Sequence, residues 1–324
     1  MKKKNLAISA VLLASVLAAA TAASAKETVR VGGLKGPTTM GIASLGVPVS
    51  DRTENNSYET TMVTAADELM AMVLNEEVDI ALLPANVAAI LYNKTQGGVK
   101  AVDINTLGVL YVTEMGDTIH SVEDLKGKTL YLTGKGTSPD FVIRYLLDQH
   151  GLTTEDVKLE YKSEAAEVVS VLAEDEHAVG LLPQPFVTVA QSKNEKLRIA
   201  LDLTEEWDAL QEEGGSSLVT GVTVVRTEYL EDHEEAVEGF LEDHGYSAAY
   251  TNENLEEVAG LIEQLEIVPS AAIAQKAVPL CNIVCIKGRE MQEKLGGYLE
   301  VLHEMDPKSV GGALPEEDFY YMPE

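Results

Sequence analysis

Short apolar runs alternate with longer stretches of helical period along most of this chain. Val29–Val31, Tyr58–Val63, Val78–Leu83, Leu107–Thr113, Lys128–Thr133, Val157–Tyr161, Ala178–Leu182, Leu197–Leu203 and Val219–Val225 read as strands. Between them, Met40–Val47, Ala65–Asn75, Pro84–Tyr92, Ser138–His150, Ala165–Glu174 and Pro185–Ser192 read as helices. Beyond residue 225 the period is mostly helical (Glu228–Tyr250, Leu255–Leu265, Ala271–Val278 and Glu290–His303), with Pro279–Val284 extended. Strand and helix in alternation predict an α/β fold built on mostly parallel sheets. The character of the chain changes at Glu114–Asp117 and again at the loop Gly214–Ser217. These points divide it into 26–114 and 221–324, which together form one lobe, and 115–220, which forms a second.

Two kinds of strand-to-helix turn occur twice. Gly32-Gly33-Leu34-Lys35-Gly36-Pro37-Thr38-Thr39 follows the first strand, and Gly134-Lys135-Gly136-Thr137-Ser138 follows Leu130–Thr133. Asp79–Leu83 runs into Pro84-Ala85-Asn86, and Ala178–Leu182 into Pro183-Gln184-Pro185. Glycines, a first-turn proline and hydroxyl caps suit the start of a helix, where free backbone N–H groups and the positive end of the dipole favour an anionic or strongly polar ligand. In open α/β sheets ligands sit beyond the carboxyl ends of strands, so two lobes facing each other would line a cleft with four such turns.

The ends of the chain add a destination. Met1–Asn5 is basic, Leu6–Ala20 is apolar, and Ala23-Ser24-Ala25 is a small-residue cleavage site, which together read as an export signal cleaved after Ala25. No cysteine follows it, so the lipid-anchoring residue of a lipoprotein is missing. The formal charge of −29 becomes more negative once that basic segment is lost, which argues against nucleic acid or anionic lipid as a partner.

Catalytic and metal chemistry find little support. The six histidines are scattered without metal-ligand helical spacing, and the two cysteines, Cys281 and Cys285, read as small buried hydrophobes, so neither a metal nor another cofactor is expected. There is no G-x-S-x-G elbow and no Walker A sequence, and Gly134-x-Gly136 lacks the third glycine of a dinucleotide fingerprint. No catalytic residue is assigned, and an exported, cleft-forming α/β chain of this kind reads as a binder.

Val29–Met40, Ala81–Lys94, Ser121–Lys128, Leu182–Ala190, Pro279–Val284 and the tail from Val310 to Tyr321 together resemble the solute-binding proteins of ABC importers, in particular the SsuA/THI5-like group. The resemblance implies a periplasmic-binding-protein type II fold, with two α/β lobes joined by two crossover hinges and closing on a solute. It implies a monomer that delivers a small molecule to permease subunits in the membrane. Ligand contacts are then expected from Gly33, Lys35, Gly36, Thr38, Thr39, Pro84, Asn86, Gly134, Lys135, Gly136, Thr137, Ser138 and Gln184, with Asn282 as a further polar contact. Lys35 and Lys135 would supply charge to a sulfonate, nitrate, phosphonate or thiamine-precursor ligand. An enzyme on the same fold and an extracytoplasmic sensor are the alternatives.

Overall fold

The computed structural model describes residues 26–47, 54–211 and 215–323; the segment read as an export signal, residues 48–53 and part of the loop expected at Gly214–Ser217 lie outside them. In chain order the strands are β1 (Thr28–Leu34), β2 (Ser57–Val63), β3 (Ile80–Pro84), β4 (Val99–Leu107), β5 (Leu110–Glu114) and β6 (Thr129–Leu132). They continue with β7 (Lys158–Tyr161), β8 (Val179–Pro183), β9 (Arg198–Asp202), β10 (Val219–Arg226) and β11 (Ile283–Ile286).

These strands form two sheets, ordered β11-β4-β10-β3-β1-β2 and β7-β6-β8-β5-β9. Apart from the edge strand β11, both follow one plan. A parallel trio (β2-β1-β3, β7-β6-β8) is completed by two further strands, the nearer of which (β10, β5) runs antiparallel to both its neighbours. The sequence echo acquires a reason here. The Lys-Gly turns follow the first strand of each trio, β1 and β6, and the Leu-Leu-Pro runs are its innermost strands, β3 and β8. Both innermost strands are buried up to their final proline, as strands covered on both faces by helices must be.

Three expectations change on contact with the structure. The run Leu107–Thr113 is not one strand. β4 ends at Leu107 in one sheet and β5 begins at Leu110 in the other, so the chain changes lobe at Gly108–Val109, ahead of Glu114–Asp117. Most of β4 went unread because Asp103, Asn105 and Thr106 interrupt its apolar pattern, although all three are buried. Lastly, Gly32 and Gly33 belong to β1 rather than to a turn. A Cβ on Gly32 would stand 2.5 Å from Leu69 Cδ1, and one on Gly33 2.6 Å from Thr39 Cγ2. These glycines let a helix and a turn lie flat on the strand.

Both crossovers are held by specific contacts. At the first, Gly108 is pressed so closely that a Cβ would sit 2.1 Å from Thr204 Oγ1. Asn282 donates from Nδ2 to the Gly108 carbonyl at 2.6 Å, while its own carbonyl accepts from Leu107 N at 3.0 Å. Its φ of 45° is a left-handed conformation that asparagine tolerates better than most residues. Beside the second crossover, Trp207 packs on Tyr145 at 4.5 Å with the rings tilted by 38°, meets Tyr298 edge-on at 5.6 Å and donates from Nε1 to Ser216 Oγ at 3.2 Å.

On the first sheet, buried Asp79 joins three strands. Its carboxylate accepts from Arg30 N and Nε, both at 3.0 Å, and from Arg226 Nη2 at 3.2 Å. Burial pushes the carboxyl pKa up, but the hydrogen bonds from Arg30 and Arg226 outweigh it and hold the group below its usual 3.8. A depressed folded-state pKa contributes stability that is present above the unfolded value and lost as pH falls below it. Asp79→Asn is therefore expected to cost about 2–3 kcal/mol in urea unfolding at pH 7, with the gap from the parent narrowing below pH ~4. A gap that stays constant into acid would rule this account out.

Candidate functional site

Between the two sheets lies a cavity of about 330 Å³. It sits beyond the carboxyl ends of β1, β3 and β8, with Leu34, Pro84 and Pro183 in its wall. Three helices of eight residues or more begin at its surface. The helix Ala85–Thr95 starts behind Pro84, Ser138–Gln149 begins with Ser138 and Pro139, and Phe186–Lys193 begins behind Pro185. Each places the positive end of its dipole at the cavity wall. The turn after β1 adds Pro37 and Thr38, but its helix, Pro37–Met40, is only four residues long and contributes little dipole.

Much of the remaining wall is apolar: Val109 and Leu110 from the first crossover, Leu218 from the second, and Phe186. Tyr298, from the helix Gly288–Met305, lies across from Ser138. Burial pushes the Tyr298 phenol up to about 12, and its hydrogen bond with Ser138 offsets this only in part, so it stays protonated near neutrality. That contact joins the two lobes at the cavity rim. On another face Tyr111 of β5 donates to the Leu280 carbonyl at 2.7 Å and joins them again.

Among the described residues lining the cavity, Gln184 is the one with a buried side-chain atom left without a partner. It is 1% exposed. Its Oε1 accepts from Thr188 Oγ1 at 2.9 Å and from Thr188 N at 3.4 Å. A backbone N–H can only donate, so the amide is oriented with Oε1 toward Thr188 and Nε2 away from it. Nε2 is buried in the cavity wall and has no partner. An orphaned buried donor of this kind costs about 1–3 kcal/mol, which an acceptor brought in by a ligand would recover.

Of the residues singled out from the sequence, the cavity brings together Lys35, Gly36, Thr38, Pro84, Ser138 and Gln184. Lys35 is at the wall, but its Nζ pairs with Glu266 Oε2 at 2.8 Å. The others are not in the lining. Gly33 and Thr39 pack on each other beneath the turn, with Thr39 Oγ1 donating to the Leu34 carbonyl at 2.6 Å. Asn86 donates to the Ser309 carbonyl at 3.3 Å and so holds the C-terminal tail, and Asn282 holds the first crossover. Gly134 and Gly136 adopt positive φ, Thr137 Oγ1 donates back to the Gly134 carbonyl at 2.6 Å, and Lys135 lies 5.5 Å from the centre of the Tyr161 ring. Their turn shapes the start of the helix Ser138–Gln149 and leaves only Ser138 facing inward.

Leu218, Thr220 and Tyr298 are lining residues that sequence reasoning missed. Thr220 and Leu218 carried a usable signal, because they flank the expected return crossover. Tyr298 carried none beyond its place on an amphipathic helix.

Residues 49–204 match the family model for the periplasmic substrate-binding protein of phosphonate ABC transporters. No curated protein sequence matches the chain. Among solved structures, an ABC transporter protein from Parabacteroides distasonis is 26% identical and superposes with a TM-score of 0.76, over 92% of this chain and 99% of that one. The periplasmic aliphatic sulphonate binding protein SsuA from Escherichia coli is 16% identical, with a TM-score of 0.70 over 92% and 93% of the two chains. The alkanesulfonate-binding protein SsuA from Xanthomonas axonopodis pv. citri, bound to MOPS, is 13% identical, with a TM-score of 0.59 over 91% and 96%. The two sheets of like plan and the space between them are thus a periplasmic-binding-protein fold, and over residues 49–204 the chain is similar to the periplasmic substrate-binding proteins of ABC transporters.

Proposed function

We propose that the protein captures a small organic anion, a sulfonate or phosphonate with a short apolar arm, and hands it unchanged to a membrane permease. The observation that carries the reading is the buried, unpartnered Nε2 of Gln184 in a largely apolar cavity. Its two protons call for an acceptor oxygen, and three helix N-termini favour that oxygen being anionic. The apolar wall of prolines, Val109, Leu110, Leu218 and Phe186 suits a hydrocarbon arm. Charge comes from helix ends rather than from Lys35 and Lys135, whose ammonium groups are engaged with Glu266 and the Tyr161 ring. The protein works as an exported monomer outside the cytoplasmic membrane, closing its lobes about the ligand.

Gln184→Glu tests this directly. The substituted side chain retains the acceptor toward Thr188 and replaces the donor with a negative oxygen. Affinity for the best sulfonate or phosphonate in a calorimetric panel is expected to fall at least ~100-fold. Equal binding of neutral sulfone or amide isosteres to the parent would remove the anion from the proposal. Loss of the ligand from solution during incubation would instead establish an enzyme.

A further inference from the structure

Away from the cavity, three side chains far apart in the sequence converge between β4, the helix Glu234–Glu253 and the edge strand β11. Asp103, His244 and Cys285 each offer a ligand atom, and these atoms lie within 4.8 Å of one another. Asp103 Oδ2 is 2.8 Å from His244 Nδ1 and 3.9 Å from Cys285 Sγ. The first two side chains are fully buried, and Cys285 is only partly so.

We propose that Asp103, His244 and Cys285 form a binding site for a single divalent zinc-like cation, independent of the cavity between the lobes. A tetrahedral ion with bonds of about 2.0–2.3 Å to nitrogen, oxygen and sulfur needs its donor atoms roughly 3.3–3.6 Å apart. The Nδ1–Oδ2 pair must open by about half an ångström and the Sγ–Oδ2 pair close by a few tenths, both within the reach of side-chain adjustment. Thr223 Oγ1 donates to Asp103 Oδ1 at 2.7 Å and in turn accepts from Asn105 Nδ2 at 3.2 Å. The carboxylate is therefore anchored through one oxygen and free to ligate through the other, the support that metal-bound carboxylates ordinarily receive.

Charge also balances. On binding, the thiol proton and the proton on His244 Nδ1 leave to solvent. A carboxylate, a thiolate and a neutral imidazole then surround a doubly charged ion, giving a cluster of no net charge in a place where an unbalanced charge would be costly. Mixed sulfur, nitrogen and oxygen donors suit zinc better than calcium or magnesium. β11 is the last strand of its sheet, and half-buried Cys285 on it provides the route of entry and a side open to a water as fourth ligand.

Cobalt reads this site selectively, because thiolate-to-cobalt charge transfer absorbs in the near ultraviolet and the many surface carboxylates give no such band. Untagged, chelator-treated, reduced protein titrated with Co²⁺ is expected to develop that band to a limit of one ion per chain. Zinc is expected to abolish it and to raise the melting temperature. Cys285→Ala should remove the band and weaken zinc binding at least ~100-fold, and Cys281→Ala should leave both unchanged. Cys285→Ser, nearly isosteric, replaces the alanine variant if that one does not fold. Absence of the band in the parent, or its survival in the Cys285 variants, would overturn the proposal.

Discussion

Trp207→Ala will lower the unfolding free energy by about 3–5 kcal/mol, the range for removing a large buried aromatic, and the midpoint of melting by roughly 10 °C. Trp207 is fully buried between two rings from different lobes, Tyr145 on the helix Ser138–Gln149 and Tyr298 on the helix Gly288–Met305. Its indole also holds Ser216 in the second crossover. Alanine leaves both rings facing a void, and Tyr298 is a wall of the cavity. Ligand affinity should therefore fall about tenfold together with stability, because the closed arrangement loses contacts that an open one does not need. Trp207→Phe should recover most of both losses. A stability loss under ~1 kcal/mol would mean that the neighbouring rings collapse into the space, and that this stack does not govern the lobes.

The second large effect is expected at Asp103. Buried beside it, His244 is pushed down by desolvation, but attraction to Asp103 prevails and raises its pKa to about 10. Near neutrality the two form an ion pair with no exposed side-chain surface on either partner. Removing one member of such a pair leaves an uncompensated charge, and Asp103→Ala should cost about 3–5 kcal/mol in chemical unfolding with a chelator present. The double variant Asp103→Leu, His244→Leu should be markedly more stable than the single one, since apolar replacement of both partners removes the desolvation problem along with the attraction. If the double variant were no more stable than Asp103→Ala, the ion pair would not be the cause.

The elements that could be read from the sequence were those whose reason for existing is local. β3 and β8 are apolar over consecutive residues, and the helices after them begin at prolines, so both emerge from periodicity alone. β4 is polar at its centre because its partners come from elsewhere: Asp103 from His244, 141 residues away, and Asn105 from Thr223, 118 residues away. The same limit governs the candidate sites. Gln184 stood out as an amide after Leu-Leu-Pro, but its importance depends on Thr188 occupying one end of that amide and nothing occupying the other. Asn86 and Asn282 looked equivalent to it and are tied instead to Ser309 and Gly108. Asp103, His244 and Cys285 share no motif spacing, because two strands and a helix bring them together.

The position of β10 also fixes the order in which the chain can be assembled. β10 lies between β3 and β4, so the centre of the first sheet cannot close until residue 226 is available, and its edge strand β11 joins only at residue 286. The second sheet draws all its strands from residues 110–202, one uninterrupted stretch. In a chain emerging from its N-terminus, the lobe begun second is therefore the first able to finish. Until then β3 and β4 each have an unpaired edge, and that interval is when the protein is most open to aggregation or to a chaperone.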